Sequence, residues 1–212
     1  HCISSAASDV YKRQEEDYII KSPMKRIHKV RTAVIVKDTI PDEKVEILRD
    51  NCNNLRDRAL IDFLLSTGIR VGELVRLNID DIDFSERECV VYGKGDKERK
   101  AYFDAKTKIH LLNYIESRTD DNSALFVSLN KPHSRLTESG VELRLREMGK
   151  KLGVEKVHPH KFRRTMATRA IEKGMPIEQV QKILGHEQID TTLRYAMVNQ
   201  NNVKLSHRKY IS

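Results

Sequence analysis

The chain has 212 residues, 33% of them charged, with a formal net charge of +8 and 39% hydrophobic residues. That length suits one large domain, or one domain and a fragment, and the positive excess favours a polyanionic partner, most often nucleic acid. No apolar run reaches the ~18 residues of a membrane span and no apolar signal-peptide core is present, while Cys2, Cys52 and Cys89, odd in number and without a CxxC pair, exclude a disulfide framework and point to a reduced, cytoplasmic protein.

Residues 1–14 lack an initiator Met, are rich in Ser and Ala, and read as a tag or cloning scar. Lys25, Arg26, Lys29 and Arg31 then make a basic segment suited to lie along DNA or to serve as a solvated linker. Residues 1–33 are therefore expected to be a leader and linker. Thr39 is the expected cap of a helix through Asp50. Asn54 caps the next, in which Leu60, Ile61, Leu64 and Leu65 follow helical spacing up to a stop at Gly68. A short helix from Val71 to Leu77 follows. Glu88–Tyr92 reads as a strand, Gly93-Lys94-Gly95-Asp96 as a turn, and Lys97–Phe103 as the return strand. No GxxxxGK[ST] pattern makes this turn a phosphate loop.

Ala105 to Arg118 is predicted helical, with Ile109, Leu111, Leu112 and Ile115 on its apolar side, and Ala124–Ser128 as a short third strand. Thr137 caps a helix whose Val141, Leu145, Met148 and Leu152 repeat on one face, leaving Arg144, Arg146, Lys150 and Lys151 on a polar face. Pro159 suits a first helical turn. The helix from His160 to Lys173 packs through Phe162, Met166 and Ala170. Pro176 starts another that ends at Gly185, and Asp190 is the expected cap of a last short helix carrying Tyr195. No internal repeat or low-complexity block is present. The expected fold is mainly α with a small antiparallel β-sheet.

The last quarter gathers chemistry. His160 and Arg163, three apart on one helix, leave the same face. Thr67-Gly68-Ile69-Arg70-Val71-Gly72-Glu73-Leu74 resembles the first arginine box of the tyrosine recombinases, the lambda-type phage integrases. His160-Lys161-Phe162-Arg163 resembles the family's HxxR box, and Leu184-Gly185-His186 its LGH box. Thr191-Thr192-Leu193-Arg194-Tyr195 resembles its terminal tyrosine box, and Gly93-Lys94-Gly95 the hairpin that carries its lysine. The boxes follow in the family's order over roughly residues 34–198. This stretch is the expected catalytic domain, with residues 199–212 as a tail suited to pack on a neighbouring subunit.

The chemistry agrees. A phosphodiester is anionic and repels nucleophiles, and two guanidiniums, Arg70 and Arg163, suit its non-bridging oxygens. Read alone, Arg70 would be a surface ion pair with Glu73. A phenol with a reference pKa of about 10 needs a cationic pocket or a base to react near neutrality. The resemblance implies Tyr195 as nucleophile, with Tyr210 as the alternative, and Lys94 as general acid, with Lys97 as its substitute. It implies His160 as acid/base and His186 as a hydrogen-bond donor to phosphate. Glu73 would orient the cationic groups. Lys97 and Arg164 join Lys25, Arg26, Lys29 and Arg31 as candidate DNA contacts.

No Cys or carboxylate stands at a zinc-like spacing from His158 and His160, and the resemblance implies chemistry with no metal or nucleotide cofactor. The implied partner is double-stranded DNA at attachment sites. The implied assembly is a homotetramer on DNA, a monomer when free, with an accessory directionality factor as a further partner and the nucleoid as the place of action. The separate DNA-clamping domain that the family carries ahead of the catalytic one is absent from this stretch, so a fragment with weak DNA binding is expected. The rivals are a type IB topoisomerase and a DNA-binding module without catalysis.

Overall fold

The computed structural model describes residues 38–93, 98–186 and 189–196, apart from the side chains of residues 190 and 194–196. Its helices are α1 (Asp42–Asp50), α2 (Leu55–Thr67), α3 (Val71–Arg76), α4 (Ala105–Glu116), α5 (Glu138–Lys151), α6 (Pro159–Glu172), α7 (Ile177–Leu184) and α8 (Ile189–Ala196). The strands β1 (Ile82–Asp83), β2 (Glu88–Tyr92) and β3 (Glu98–Tyr102) form one antiparallel sheet in that order. The mostly helical architecture with a small antiparallel sheet is the one the sequence predicts. β1 was not foreseen; it pairs Ile82 with Cys89 and Asp83 with Glu88. Residues 124–128 are not a strand: only single bridges, Asn78 with Ala124 and Val127 with Arg135, form there.

Helix α2 is the centre of the fold. Asn54 accepts from the Asp57 backbone N–H at its start, and Gly68, at φ 60°, ends it in the left-handed region. It is buried on nearly every side, its charged Arg56, Asp57 and Asp62 included. Helices α1, α4 and α6 pack on it. Phe63, fully buried, meets Phe103 and Phe126 at ring distances of 5.9 and 6.1 Å. Phe63→Ala is expected to destabilise the protein by roughly 3–5 kcal/mol, through lost burial and an unfilled cavity. Urea denaturation checks this: a loss under ~1 kcal/mol would mean the core collapses around the site.

Two carboxylates sit inside this core, each paired with at least one arginine. Asp57, with no exposed surface, accepts Arg56 at 2.7 Å and Arg144 at 2.6 Å. Burial alone would raise its carboxyl; the charge of Arg56 and hydrogen bonds from Arg56, Asn54 and Arg144 outweigh that and hold it below the usual carboxylate range. Asp62 accepts from Arg49 at 2.5 Å and shares a hydrogen bond with His110 Nδ1. These pairs correct the expectation for Arg144: it leaves the polar face of α5 for Asp57. Ile109 is likewise not inward but 56% exposed, because α4 turns Thr107, Leu111 and Tyr114 to the core. Helix α1 starts after Pro41 rather than at Thr39, and α8 includes Asp190. Burial pushes the Cys52 and Cys89 thiols up to about 12.

Away from the main core, Ala167, Val180 and Leu184 form a satellite cluster with Met166, Ala170, Ile171 and Met175. It glues α7 to α6. Helix α8 packs on both, and α7 lies against β3. No described helix is long and apolar enough to cross a membrane.

Candidate active site

The site is built around the end of α7. The last carbonyls of a helix lack partners within it and must find others. Here the cap N–H groups serve Gln181 and Lys182, with Gly185 at φ 61° making the left-handed turn. Three guanidiniums serve the next carbonyls in succession. Arg99 donates from NH1 to Ile183 O at 2.8 Å, Arg163 from NH2 to Leu184 O, and Arg70 from NH2 to Gly185 O at 3.1 Å. Cations also suit the negative end of the helix dipole.

Each arginine comes from a different element. Arg70 caps α3; its guanidinium donates to Glu73 Oε1 at 2.8 Å, and its backbone N–H donates to Glu73 Oε2 at 2.8 Å. The Arg70 side chain is 37% exposed, while that of Glu73 is 3% exposed. The ion pair with Glu73 is thus present, and the same guanidinium also reaches the Leu184-Gly185-His186 turn. Arg163, on α6, is 4% exposed and also donates to Gly68 O at 2.6 Å. Both glycine turns, at Gly68 and Gly185, therefore flank one guanidinium. A Cβ at Gly68 would stand 2.2 Å from Met166 Cε, and its φ disfavours any side chain.

His160 is at the surface of the first turn of α6. Desolvation, then the charges of Arg163, Arg164 and Arg70, hold its imidazole below the ordinary range, against the pull of Glu142. His186 shares a hydrogen bond between Nδ1 and Thr192 Oγ1 at 2.9 Å, and Gln181 Nε2 donates to its carbonyl at 3.0 Å. Desolvation, then the charges of Arg163, Arg70 and Arg99, push its imidazole down to about 4. His186 is therefore expected to be neutral at neutral pH. A ring-nitrogen NMR titration should find its midpoint near 4; a midpoint near the ordinary ~6.5 would overturn this. The sign for stability follows: the unfolded chain binds the proton more readily, so this contribution is full above about pH 6.5 and is lost as pH falls toward 4.

The structure thus brings together Arg70, Arg163, His160, His186 and Glu73. Tyr195 belongs to α8, which packs on α6 and α7, and its side chain lies outside the described residues. Lys94 and Lys97, and Lys25, Arg26, Lys29 and Arg31, lie outside them too. Arg164 donates to Asp38 O at 2.8 Å, against the segment entering α1. Among the described residues, no group of three or more metal-ligating side chains occurs.

Sequence reasoning missed two members. Arg99, on β3, also donates from NH2 to Glu73 Oε2 at 2.6 Å. Its signal was the strand period: Arg99 shares the inward face with Ala101, opposite Val91. Thr192, fully buried, could not be told from its neighbour Thr191 without the turn that precedes it.

This architecture has known counterparts. The model of the phage integrase family matches residues 39–202. The chain belongs to that family, the tyrosine recombinases. It is 37% identical over 171 residues to tyrosine recombinase XerC of Staphylococcus aureus, a match covering 77% of this chain and 57% of the relative. The chain thus spans little more than half the length of the curated relatives it matches. The crystal structure of XerA recombinase superposes with a TM-score of 0.73 at 29% identity, covering 93% of this chain and 71% of that one. XerH site-specific recombinase bound to difH substrate gives 0.64 at 25%, covering 76% and 50%. The Tn1549 transposon integrase in complex with a circular intermediate DNA is alike in fold, with a TM-score of 0.75 at 19% identity, covering 95% of this chain and 75% of that one.

Proposed function

We propose that this chain is the catalytic part of a site-specific recombinase that cuts and rejoins double-stranded DNA through a 3′-phosphotyrosine. The observation that carries the reading is the convergence of Arg70 and Arg163 on the turn that leads into His186, with His160 on the helix that carries Arg163 and with the helix that contains Tyr195 packed on α6 and α7. Arg70 and Arg163 hold the non-bridging oxygens of the scissile phosphate and stabilise charge there in the transition state. Arg70 uses NH1 and NH2 on Glu73 and Gly185, and a guanidinium has five N–H donors in all.

In the first step the Tyr195 oxygen bonds to phosphorus and the bond from phosphorus to the 5′ oxygen breaks. The tyrosine proton passes to His160, which its surroundings keep neutral and able to accept it. Lys94 gives a proton to the departing 5′ oxygen. His186 donates a hydrogen bond to the phosphate from Nε2 while Nδ1 engages Thr192. The phosphotyrosine keeps the energy of the original diester, so a different 5′ hydroxyl reverses the reaction and joins new strands. The mature assembly is a tetramer on two DNA sites, with residues 199–212 reaching into a neighbour and the basic segment before residue 34 lying along DNA. Integration or excision of a mobile element is the proposed role. Dimer resolution would use the same chemistry, and the duplex sequence cleaved decides between them.

The test uses nicked duplexes from the ends of the DNA that encodes the chain, with no metal added. The nick lets a short 5′-hydroxyl strand diffuse away and traps cleavage. The expected result is a protein–DNA adduct that survives denaturing electrophoresis and depends on duplex sequence. An adduct indifferent to sequence would mean a topoisomerase, and none at saturating DNA would mean a binding module.

A further inference from the structure

We propose that Arg99 is a positioning residue, one that holds Arg70 and the turn 183–186 in register for the scissile phosphate without touching it. The inference rests on the recombinase reading above. Three observations carry it.

The first is the double reach of the side chain. From the inward face of β3, Arg99 joins Glu73 at 2.6 Å and Ile183 O at 2.8 Å, with 12% of the side chain exposed. It is the one described residue that hydrogen-bonds both to the carboxylate behind Arg70 and to the end of α7 without itself belonging to a recombinase box. The second is the sharing of Glu73. Its Oε1 takes Arg70, and its Oε2 takes Arg99 together with the Arg70 backbone N–H. Without Arg99 the buried carboxylate keeps Arg70 as its one paired cation among the described residues, and the tighter pair draws that guanidinium toward Glu73 and away from Gly185 O. The third is close packing. A Cβ on Gly185 would lie 2.7 Å from Arg99 Cδ and 2.8 Å from Nε, so the arginine stem fills the space beside the turn's backbone.

Stability gives little reason for an arginine here. Its Nε is buried with no hydrogen-bond partner among the described residues. Burial also pulls the guanidinium below its ordinary range. An apolar side chain of similar length would avoid that cost. What it would not supply is a second cation for Glu73.

The test measures single-turnover cleavage of the nicked duplex by the wild-type chain and by Arg99→Met and Arg99→Lys. Two scissile groups are compared, the ordinary phosphate and a methylphosphonate, in which a methyl replaces one non-bridging oxygen and removes the charge. Arg99→Met is expected to bind DNA as the wild type does and to cleave the ordinary phosphate ~10–100-fold more slowly, the scale of a small misplacement of a reacting group. On the methylphosphonate the deficit should shrink several-fold, because less charge awaits Arg70. Arg99→Lys keeps a cation for Glu73 but loses the fork to Ile183, and should fall between. Wild-type rates in Arg99→Met would overturn the proposal. So would equal deficits on both substrates with a lowered melting temperature, the mark of a merely structural residue. Should Arg99→Met not fold, the same comparison in Arg99→Lys decides by the same outcomes. No adduct from the wild-type chain would instead overturn the recombinase reading, and this inference with it.

Discussion

Tyr195→Phe is expected to keep the fold and the DNA affinity of the wild type and to abolish the covalent adduct, to below ~0.1% of wild-type yield. The substitution deletes one oxygen. If that oxygen is the nucleophile, nothing left on the side chain can bond to phosphorus, and the loss is absolute rather than graded. Helix α8 packs on α6, which carries His160 and Arg163, and on α7, which leads into His186. Gel shift, circular dichroism and the denaturing gel together make the measurement. An adduct that persists in Tyr195→Phe and vanishes in Tyr210→Phe would move the nucleophile to the tail.

Arg163→Met is expected to damage both rate and stability. Cleavage should fall about 100–1,000-fold or more, as when a donor aimed at developing charge is removed. The side chain is 4% exposed, and its loss strips a partner from Gly68 O and from Leu184 O, both on buried residues. An unsatisfied buried carbonyl costs roughly 1–3 kcal/mol, so the two together cost roughly 2–6 kcal/mol. For a domain of this size that is a fall of about 4–24 °C in melting temperature. Thermal unfolding and single-turnover cleavage check the two halves separately. A variant that melts like the wild type would show that those carbonyls find other partners. One that also cleaves normally would remove Arg163 from the site. This double role separates it from Arg70, which is far more exposed and holds a carboxylate rather than the core.

How much of this was legible follows from the range of the signals. Asn54, Gly68, Thr137, Pro159 and Gly185 mark helix ends by local chemistry, and each stands at an end in the structure. The strand β2 and its return were legible from alternation and the glycine turn. What failed was non-local. Nothing near Arg144 in sequence announces Asp57, which lies on another helix with no exposed surface. Ile109 reads as core by its type, yet the face of α4 is chosen by what α2 offers it. β1 is too short to have a period of its own. In the site, boxes pointed to Arg70, His160, Arg163 and His186, because each is embedded in a recognisable string. Arg99 stands outside those strings, four residues beyond Gly93-Lys94-Gly95; only an inward arginine on a strand gave it away.

The arginines on consecutive carbonyls of the α7 terminus turn an outwardly ordinary loop into a fixed-length part. Surface loops commonly absorb an added residue at little cost. One residue added to the last turn of α7 would rotate the carbonyls beyond it by about 100°. Ile183, Leu184 and Gly185 would then present their oxygens away from Arg99, Arg163 and Arg70 together. The segment tolerates changes of side chain at Ile183 better than any change of count, since it is gripped by its backbone. Lengthening or grafting across this turn would therefore uncouple the arginines in a single step.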